Sequence, residues 1–404
     1  MPLPVKAPRR TSKPASPSRS VQLCVLIAAG CLTTMTGGIV SPVLPEMVQQ
    51  LDLDLRWAGL LVSIHALAIA LFTPVFGILA DRIGKLKVML PALLFYALFG
   101  VAGAFMPTMN WLLAARVGLG MSSAAIAAAS IGLLGIMYDG EARTRILGYA
   151  TSAMTTASVL IPLVGGWVGS FNWQYSFYLY GLSIPTALVA KLLLREGRSR
   201  SSAIDTSQNK LLGKTIRHPQ VLRLYLTIAI AAAIVYTVVI YTPLYLKEVI
   251  GAGPALNGFV LAIRAVGAAL VSAFVASRLA KRIGSRRAIG LGFIVMALML
   301  GTIPLLHDIR LIVPAAIAFG MGFGVTVPNI YDDLATLSPP EVRSSVLAIG
   351  TGANSLGQFT SPILLGPLWS TIGLASVFYA AAAVALIIGV IIGSQSQRPN
   401  KQLL

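Results

Sequence analysis

Long apolar stretches separated by short polar loops dominate the chain. Twelve of them reach the roughly 18 residues that a helix needs to cross a lipid bilayer. Together they predict an all-α membrane protein with twelve transmembrane helices in two pseudo-symmetric six-helix bundles. The predicted spans are 21–45, 58–80, 88–105, 112–137, 146–168, 173–194, 221–246, 256–280, 288–306, 311–337, 345–369 and 371–394.

The composition supports a lipid surrounding. Hydrophobic residues make up 56% of the chain and charged residues 11%, whereas charged residues make up about a quarter of a typical soluble domain. The lipid bilayer is therefore the first expected partner. The net charge of +18 does not indicate nucleic-acid binding, because the basic residues lie in short loops and not in a patch interleaved with aromatic residues.

The positions of the basic residues predict the orientation. With the N-terminus in the cytoplasm, the inside segments hold 24 Lys and Arg residues and the outside loops hold three. Cytoplasmic loops of membrane proteins carry this excess of cations. We therefore expect a multi-pass protein of the cytoplasmic (inner) membrane with both termini in the cytoplasm.

The two halves repeat each other at an offset of 200 residues. Residues 79, 80, 82, 83 and 84 are identical to residues 279, 280, 282, 283 and 284, and further identities follow at the same offset, as in the pair Gly120 and Gly320. Parallel repeats of six spans are typical of transporters, which bind their substrate between the repeats near the midplane. The predicted segments are a disordered basic tail (1–20), an N-terminal bundle (21–195), a cytoplasmic linker (196–219), a C-terminal bundle (220–395) and a cytoplasmic tail (396–404).

Several motifs resemble those of the major facilitator superfamily. The stretch Gly77–Lys87, GILADRIGKLK, resembles the superfamily's loop signature between helices two and three. PVLP at 42–45 resembles the end of helix one in drug-exporting branches, and RVGLG at 116–120 resembles a helix-four signature. PLVGG at 162–166 resembles the end of the helix-five motif of proton antiporters, although Ile161 and Ala157 stand where that motif has glycines. The structural residues implied are Pro42, Pro45, Gly120, Pro162, Gly165 and Gly166, with Pro362 as the repeat of Pro162.

The resemblance implies a conformational switch at the Gly77–Lys87 loop. Asp81 would face the positive N-terminal end of helix eleven, with Arg82 or Arg143 nearby, and would hold the halves together on the cytoplasmic side. Gly77 and Gly84 would permit a close helix approach and a tight turn. Lys281 occupies the repeated position of Asp81, so only the first copy can make this contact. The alternative is an ordinary charge cluster at a helix end.

Few ionisable residues lie within the spans, and these are the candidates for ion coupling. Charges inside a membrane usually mark function. Proton antiport is the expected coupling, yet helices one to six lack a mid-span carboxylate. The alternatives are a core histidine, and carboxylates that pair with a basic loop. The candidates are Arg116, His65, Asp332, Asp333 and Arg264.

Uncharged polar side chains at mid-depth predict the substrate cavity, for which helix–helix hydrogen bonding is the alternative. Amides and aromatic rings suit an uncharged or weakly charged, moderately apolar solute. The residues are Thr33, Thr34, Thr36, Ser122, Ser123, Tyr236, Thr237, Tyr241, Asn329, Asn354 and Gln358.

Export of a small amphiphilic molecule by alternating access is therefore the expected function, driven by proton antiport. The alternatives are an importer of a sugar or other small metabolite, and a non-transporting membrane sensor. An enzyme is not expected, because the three histidines are scattered and form no acid–base or metal-ligand cluster. We expect no metal and no cofactor, and a monomer.

Overall fold

The computed structural model describes residues 19–138, 140–194 and 206–395, and these form helices without any strand. Twelve long helices, α1 to α12, account for most of them. They are α1 (Arg19–Gly38), α2 (Leu60–Ile83), α3 (Lys85–Ala102), α4 (Met109–Met137), α5 (Gly140–Gly169), α6 (Trp173–Leu193), α7 (Pro219–Ile250), α8 (Pro254–Phe274), α9 (Ser285–Thr302), α10 (Ile309–Leu337), α11 (Arg343–Ile372) and α12 (Leu374–Ser394).

Twelve predicted spans thus correspond to twelve long helices. Within the described residues, eleven are long and apolar enough to cross a membrane. The exception is α11, which has 30 residues but carries hydroxyl and amide side chains along its length. Residues 1–18 of the predicted tail 1–20, the predicted tail 396–404, residue 195 and the linker residues 196–205 lie outside the described residues. The rest of the linker includes a short helix, Thr206–Ile216.

Three predicted spans are interrupted in ways that the apolar pattern did not predict. The predicted span 256–280 ends as α8 at Phe274, and a short helix, Ala276–Ile283, follows. The first predicted span, 21–45, is not one helix: α1 ends at Gly38, and a 3-10 turn (Ser41–Val43) and a short helix (Leu44–Gln50) follow. Pro42 and Pro45 lie in these two short elements, and proline cannot donate the backbone hydrogen bond that would continue α1. Helix α6 has a 3-10 turn at Leu179–Leu182.

The 200-residue repeat is confirmed by the element boundaries. Helix α3 and the 3-10 turn after it (Gly103–Phe105) correspond to α9 and its turn (Ile303–Leu305), and α4 corresponds to α10, all at an offset of 200. Gly84 and Gly284 join the paired helices with φ values of 110° and 91°. Side chains rarely adopt such backbone angles, so the turn requires glycine in both halves.

Each half forms its own bundle, and the halves meet along two helix pairs. Helix α5 packs against α8, and α2 packs against α11. We call the end of the molecule that bears Gly84 and Gly284 the basic face, and the other end the opposite face. Helices α5 and α11 run from the basic face to the opposite face, whereas α2 and α8 run the other way.

The contacts between the halves concentrate toward the opposite face. Gly166 of α5 lies against Pro254 and Gly258 of α8, while Gly366 of α11 lies against the carbonyl of Arg56, just before α2. We call this closed region the seam. Toward the basic face the same helices expose polar side chains, so the halves diverge and leave an opening there. These exposed residues are Thr151, Ser152, Thr155 and Thr156 of α5 and Ser344, Ser345 and Thr351 of α11.

Candidate functional site

Arg116 holds three helices together near the seam. Its Nε donates to the Leu61 carbonyl at 2.7 Å, one terminal nitrogen donates to the Thr36 carbonyl at 2.6 Å, and the other donates to the Tyr180 hydroxyl at 3.0 Å. The side chain is 2% exposed. Because α1 stops at Gly38, the Thr36 carbonyl lies in its last turn, where helix carbonyls lack helical partners. The guanidinium therefore caps α1 inside the bundle and ties it to α2 and α6.

Two buried tyrosines complete this arrangement. Tyr96 donates to the Leu32 carbonyl and lies 3.2 Å from the Thr36 hydroxyl, while its ring meets that of Tyr180 edge-on at 5.6 Å. Thr36 donates in turn to Ser123 at 3.3 Å. Sequence reasoning missed Tyr96 and Tyr180. The signal available was the glycine pair at 37–38 before two prolines, which predicts a helix end that needs caps.

His65, Tyr236 and Arg264 lie where the halves meet, deeper than the seam. Gly37 marks the place: a Cβ on it would lie 2.8 Å from the Tyr236 hydroxyl and 3.2 Å from the His65 ring. Tyr236 also interacts electrostatically with both Arg116 and Arg264. The structure thus brings together three of the predicted coupling candidates, His65, Arg116 and Arg264, around one tyrosine from the predicted cavity.

The predicted cavity residues separate into two groups. Thr33, Thr34, Tyr236, Asn354 and Gln358 are partly exposed between the halves, and Gln358 donates to the Asn354 side chain at 2.7 Å. The remaining six are buried in helix packing and are not accessible from the opening in this conformation. They are Thr36, Ser122, Ser123, Thr237, Tyr241 and Asn329.

The buried group has identifiable partners. Tyr241 packs edge-on against Trp369, and Asn329 donates to the Val325 and Ala276 carbonyls. Thr237 donates to the Ala233 carbonyl, and Ser122 donates to the Gly118 carbonyl. These interactions correspond to the helix–helix and intrahelical bonding that the sequence left open as the alternative.

Apart from Gly77 and Gly84, which lie toward the basic face, the glycines and prolines of the motifs lie in or beside the seam. If Gly59 had a Cβ, that atom would lie only 2.7 Å from the Pro362 side chain. A Cβ on Gly165 would lie 3.1 Å from the Ile39 backbone. Gly120 lies against the His65 backbone, where a Cβ would be 2.5 Å from the carbonyl oxygen. These residues permit close backbone approach, as small residues do between membrane helices.

Three polar contacts cross the seam among the described residues. Ser41 donates to the Val239 carbonyl, Asn257 donates to the Pro42 carbonyl at 3.1 Å, and Lys247 pairs with Glu46 at 3.2 Å. Asn257 is fully buried. On the first half, Ser41 and Pro42 lie in the 3-10 turn after α1. The interruption of α1 therefore supplies two of the three polar contacts that close the seam.

At the Gly77–Lys87 loop, the predicted latch is not formed in this conformation. The expected partners of Asp81 were the start of helix eleven, Arg82 and Arg143, but Asp81 pairs with Lys85 at 2.8 Å. Arg143 instead lies over Gly135, whose Cβ would be 3.2 Å from a guanidinium nitrogen. The opening at the basic face explains this difference, because it separates the first half from α11 at this end.

The two aspartates of α10 differ in environment. Asp332 is exposed. Asp333 lines a cavity of about 770 Å³ within the second bundle, together with Arg223 and Arg286, and it interacts electrostatically with Arg286. Of the predicted carboxylates, Asp333 is therefore the one in a semi-enclosed site. Among the described residues, no group of three His, Cys, Asp or Glu side chains could hold a metal ion.

Comparison with known proteins identifies a family. The family model described as Major Facilitator Superfamily matches residues 26–362 and 245–402. The multi-drug resistance efflux pump PmrA of Streptococcus pneumoniae is 24% identical over 364 residues, which cover 87% of this chain and 90% of that protein. The quinolone resistance protein NorA of Staphylococcus aureus is 22% identical over 369 residues, which cover 90% and 94%.

Solved structures agree on the fold. A bacterial homolog of the human lysosomal transporter Spinster, in an inward-facing conformation, superposes with a TM-score of 0.78 at 17% identity and covers 94% of this chain and 95% of its own. The nucleoside transporter NupG superposes with a TM-score of 0.78 at 14% identity and covers 92% and 98%.

Proposed function

The chain belongs to the major facilitator superfamily, and from that premise we propose that it exports a small amphiphilic molecule by alternating access, driven by proton antiport. Members of this superfamily are transporters, so transport is the established part. Export, the solute class and the coupling ion are the proposal. The relatives PmrA and NorA are named as an efflux pump and a quinolone resistance protein, which favours export over the import of a sugar or metabolite.

One observation carries the proposal: the halves are closed at the seam and open at the basic face. The excess of cations at that face supports a cytoplasmic position for it, and we propose that both termini lie inside the cell and the chain in the cytoplasmic membrane. An opening to the cytoplasm is the state in which an exporter takes up its solute. Closure at the basic face together with opening at the seam would then release the solute outside the cell.

The surface around the opening supports an amphiphilic solute. Thr33, Thr34, Tyr236, Asn354 and Gln358 are partly exposed and contribute hydroxyl and amide groups, and further hydroxyl groups are exposed closer to the basic face. Binding pockets for small molecules combine predominantly apolar walls with a few polar groups that fix orientation. We place the substrate among these five residues, in a monomeric transporter without a cofactor.

Efflux from cells tests the proposal. Cells that lack their own efflux pumps would express either the wild type or Gly258→Ala, in which a methyl group would lie 2.3 Å from the Pro162 carbonyl oxygen. A panel of fluorescent amphiphiles is loaded, and their retention is followed. Lower retention with the wild type than with an equally expressed variant supports export. Equal retention for the whole panel contradicts it, and higher retention identifies an importer.

A further inference from the structure

The membrane-spanning helices contain two arginines that pair with no acid among the described residues. Arg264 lies nearly three turns inside α8 and Arg116 about two turns inside α4. The Asp and Glu residues of the described ranges all lie within about two turns of a helix end or in loops. Those acids are Glu46, Asp52, Asp54, Asp81, Glu141, Glu248, Asp308, Asp332, Asp333 and Glu341. A charge in an apolar surrounding is strongly unfavourable unless it is paired, so each arginine needs a compensating partner.

The two arginines differ in how far the protein satisfies them. Arg116 donates three hydrogen bonds to neutral acceptors. In contrast, the Nε of Arg264 is buried and has no partner among the described residues. His65 Nδ1 is also buried and unpartnered. The cluster around Tyr236 therefore contains a cation whose donors the protein leaves unused.

Arg264 and His65 have similar packing neighbours in the two bundles. Gly120 lies against the backbone of His65, and Gly320, its repeat, lies against the backbone of Arg264, although the offset of 200 pairs His65 with Ala265. Both residues are thus held by a close helix contact, one in each half. Tyr236, whose hydroxyl meets Gly37 across the boundary, interacts electrostatically with Arg264. This places the unsatisfied guanidinium beside the region where a substrate contacts both halves.

The surroundings of Arg264 are otherwise apolar. It lines a cavity between α7, α8 and α10 with Thr242, whose hydroxyl is also buried and unpartnered. The other walls include Val238, Val260 and Phe319. This cavity measures only about 10 Å³ and has room for about one water molecule, so it is not itself the place of the solute, whereas the Arg264 side chain as a whole is partly exposed. A cation that is partly accessible and has no acid beside it suits a molecule with a single anionic group.

We infer that the transported molecule carries one anionic group, such as a carboxylate, and that Arg264 binds it. This inference rests on the proposed transport function and narrows its substrate class to amphiphilic monoanions. A carboxylate would accept hydrogen bonds from the guanidinium, and charge-assisted bonds of this kind are stronger than neutral ones. The Tyr236 hydroxyl, which interacts electrostatically with Arg264, would be a second donor to such a group.

Matched pairs of ligands test the inference on purified, full-length protein. Each pair consists of an aromatic or alkyl acid and its primary amide: pyrenebutyrate, naphthaleneacetate and decanoate with their amides. Binding is measured in one detergent for the wild type, Arg264→Gln and Arg264→Lys. The acid preference of a protein is the Kd of the amide divided by the Kd of the acid. For at least one pair we expect this preference to be about tenfold larger in the wild type than in Arg264→Gln. Arg264→Lys should keep part of this preference.

The acid and the amide of a pair partition differently into detergent, but this difference is the same for every protein variant. It therefore cancels when the acid preference of the wild type is divided by that of a variant. Arg287→Gln is the matched control, because Arg287 is exposed near the basic face and the acid preference should persist in it. An unchanged melting temperature of Arg264→Gln, or retained preference in Arg264→Lys, separates binding from misfolding. If all three acids show the same acid-to-amide ratio in wild type and Arg264→Gln, the inference is wrong.

Binding and transport can fail separately. If the acid preference depends on Arg264 but the efflux assay shows no export, the recognition of an anion stands and the direction of transport is wrong. If export occurs for amphiphiles but no acid preference exists, the proposed function stands and the anionic substrate class is rejected. A chloride-dependent melting temperature without any acid preference would assign Arg264 to an inorganic anion and would also reject the inference.

Discussion

Gly166 and Gly258 face each other across the seam with only backbone between them. A Cβ on Gly166 would lie 3.0 Å from the Gly258 Cα and 2.3 Å from the Pro254 carbonyl oxygen. Real Cβ atoms do not approach a backbone oxygen this closely, so the pair sets how near α5 and α8 can come. The closed state of the opposite face depends on this spacing, because these two helices form a main contact between the halves.

Gly258→Ala should shift the molecule away from the conformation closed at the seam. Its methyl group would lie 2.3 Å from the Pro162 carbonyl oxygen, whereas nothing lies within 4 Å of a Cβ on the nearby Gly253. Spin labels at Thr151 and Arg278, one on each half near the basic face, report the opening. We expect a shorter distance population to grow in Gly258→Ala. Gly253→Ala should match the wild type, and equal distributions in all three proteins would contradict the prediction.

The ion pair across the seam should tolerate reversal but not a single change of sign. Lys247 and Glu46 lie 3.2 Å apart with side chains 30% and 15% exposed. Glu46→Lys or Lys247→Glu places like charges together, and we expect either to reduce transport several-fold. The double variant restores opposite charges and should recover most of the activity. Failure of the double variant to exceed both single variants would show that the pair does not stabilise the seam.

Arg116→Gln should destabilise the first bundle. The variant loses bonds that a charged donor makes to Leu61, Thr36 and Tyr180, each worth about 1.5–3 kcal/mol. We expect a loss of more than about 3 kcal/mol, measured as a lower unfolding temperature in detergent. Tyr180→Phe removes one acceptor and should cost less. A melting temperature of Arg116→Gln equal to that of the exposed-site control Arg223→Gln would disprove the anchoring role.

Asp81→Asn should impair transport with little effect on stability. The Asp81 side chain is 69% exposed, whereas its partner Lys85 is 10% exposed. Water screens the carboxylate side of the pair, so we expect a contribution close to the upper value of about 1 kcal/mol for surface pairs. If Asp81 exchanges this partner for α11 when the basic face closes, the substitution removes the second contact. We expect transport below that of Lys281→Ala, the substitution at the repeated position, with equal membrane insertion. Equal transport by both variants would reduce the loop to an orientation signal.

Proton coupling should depend on Asp333 more than on Asp332. Asp333 lines a semi-enclosed cavity with Arg223 and Arg286, whereas Asp332 is exposed. Substrate-induced pH changes in vesicles provide the measurement. We expect Asp333→Asn to lower the signal strongly and Asp332→Asn to leave it near the wild-type value. If Asp333→Asn, Asp332→Asn and His65→Gln all match the wild type, none of the three carries the proton.

The sequence predicted the fold because span length and repeat offset do not depend on which face of each helix turns toward its neighbours. The lengths of the apolar stretches predicted the helices, and the offset of 200 predicted the shared turn at Gly84 and Gly284, which the φ angles confirm. A span that is apolar all round does not reveal which face is buried. Tyr241 and Gln358 therefore looked alike in sequence, yet Tyr241 is 1% exposed and Gln358 is partly accessible.

The partners of Arg116 could not be predicted for a related reason. Two of its acceptors are backbone carbonyls of Leu61 and Thr36, and a carbonyl leaves no trace in the residue type. The third, Tyr180, lies 64 positions away. Likewise, the seam at Gly258 involves a glycine that matches no motif. Such contacts follow from how the helices are placed and not from local patterns.

The pairing of Asp81 with Lys85 has a thermodynamic consequence for switching. The carboxylate already has a cation when the basic face is open, so closure onto α11 would exchange one contact of Asp81 for another and would not add a contact. We therefore expect the loop to contribute little to the balance between the two states. Occupancy of the proposed site by solute or proton would then decide which state prevails.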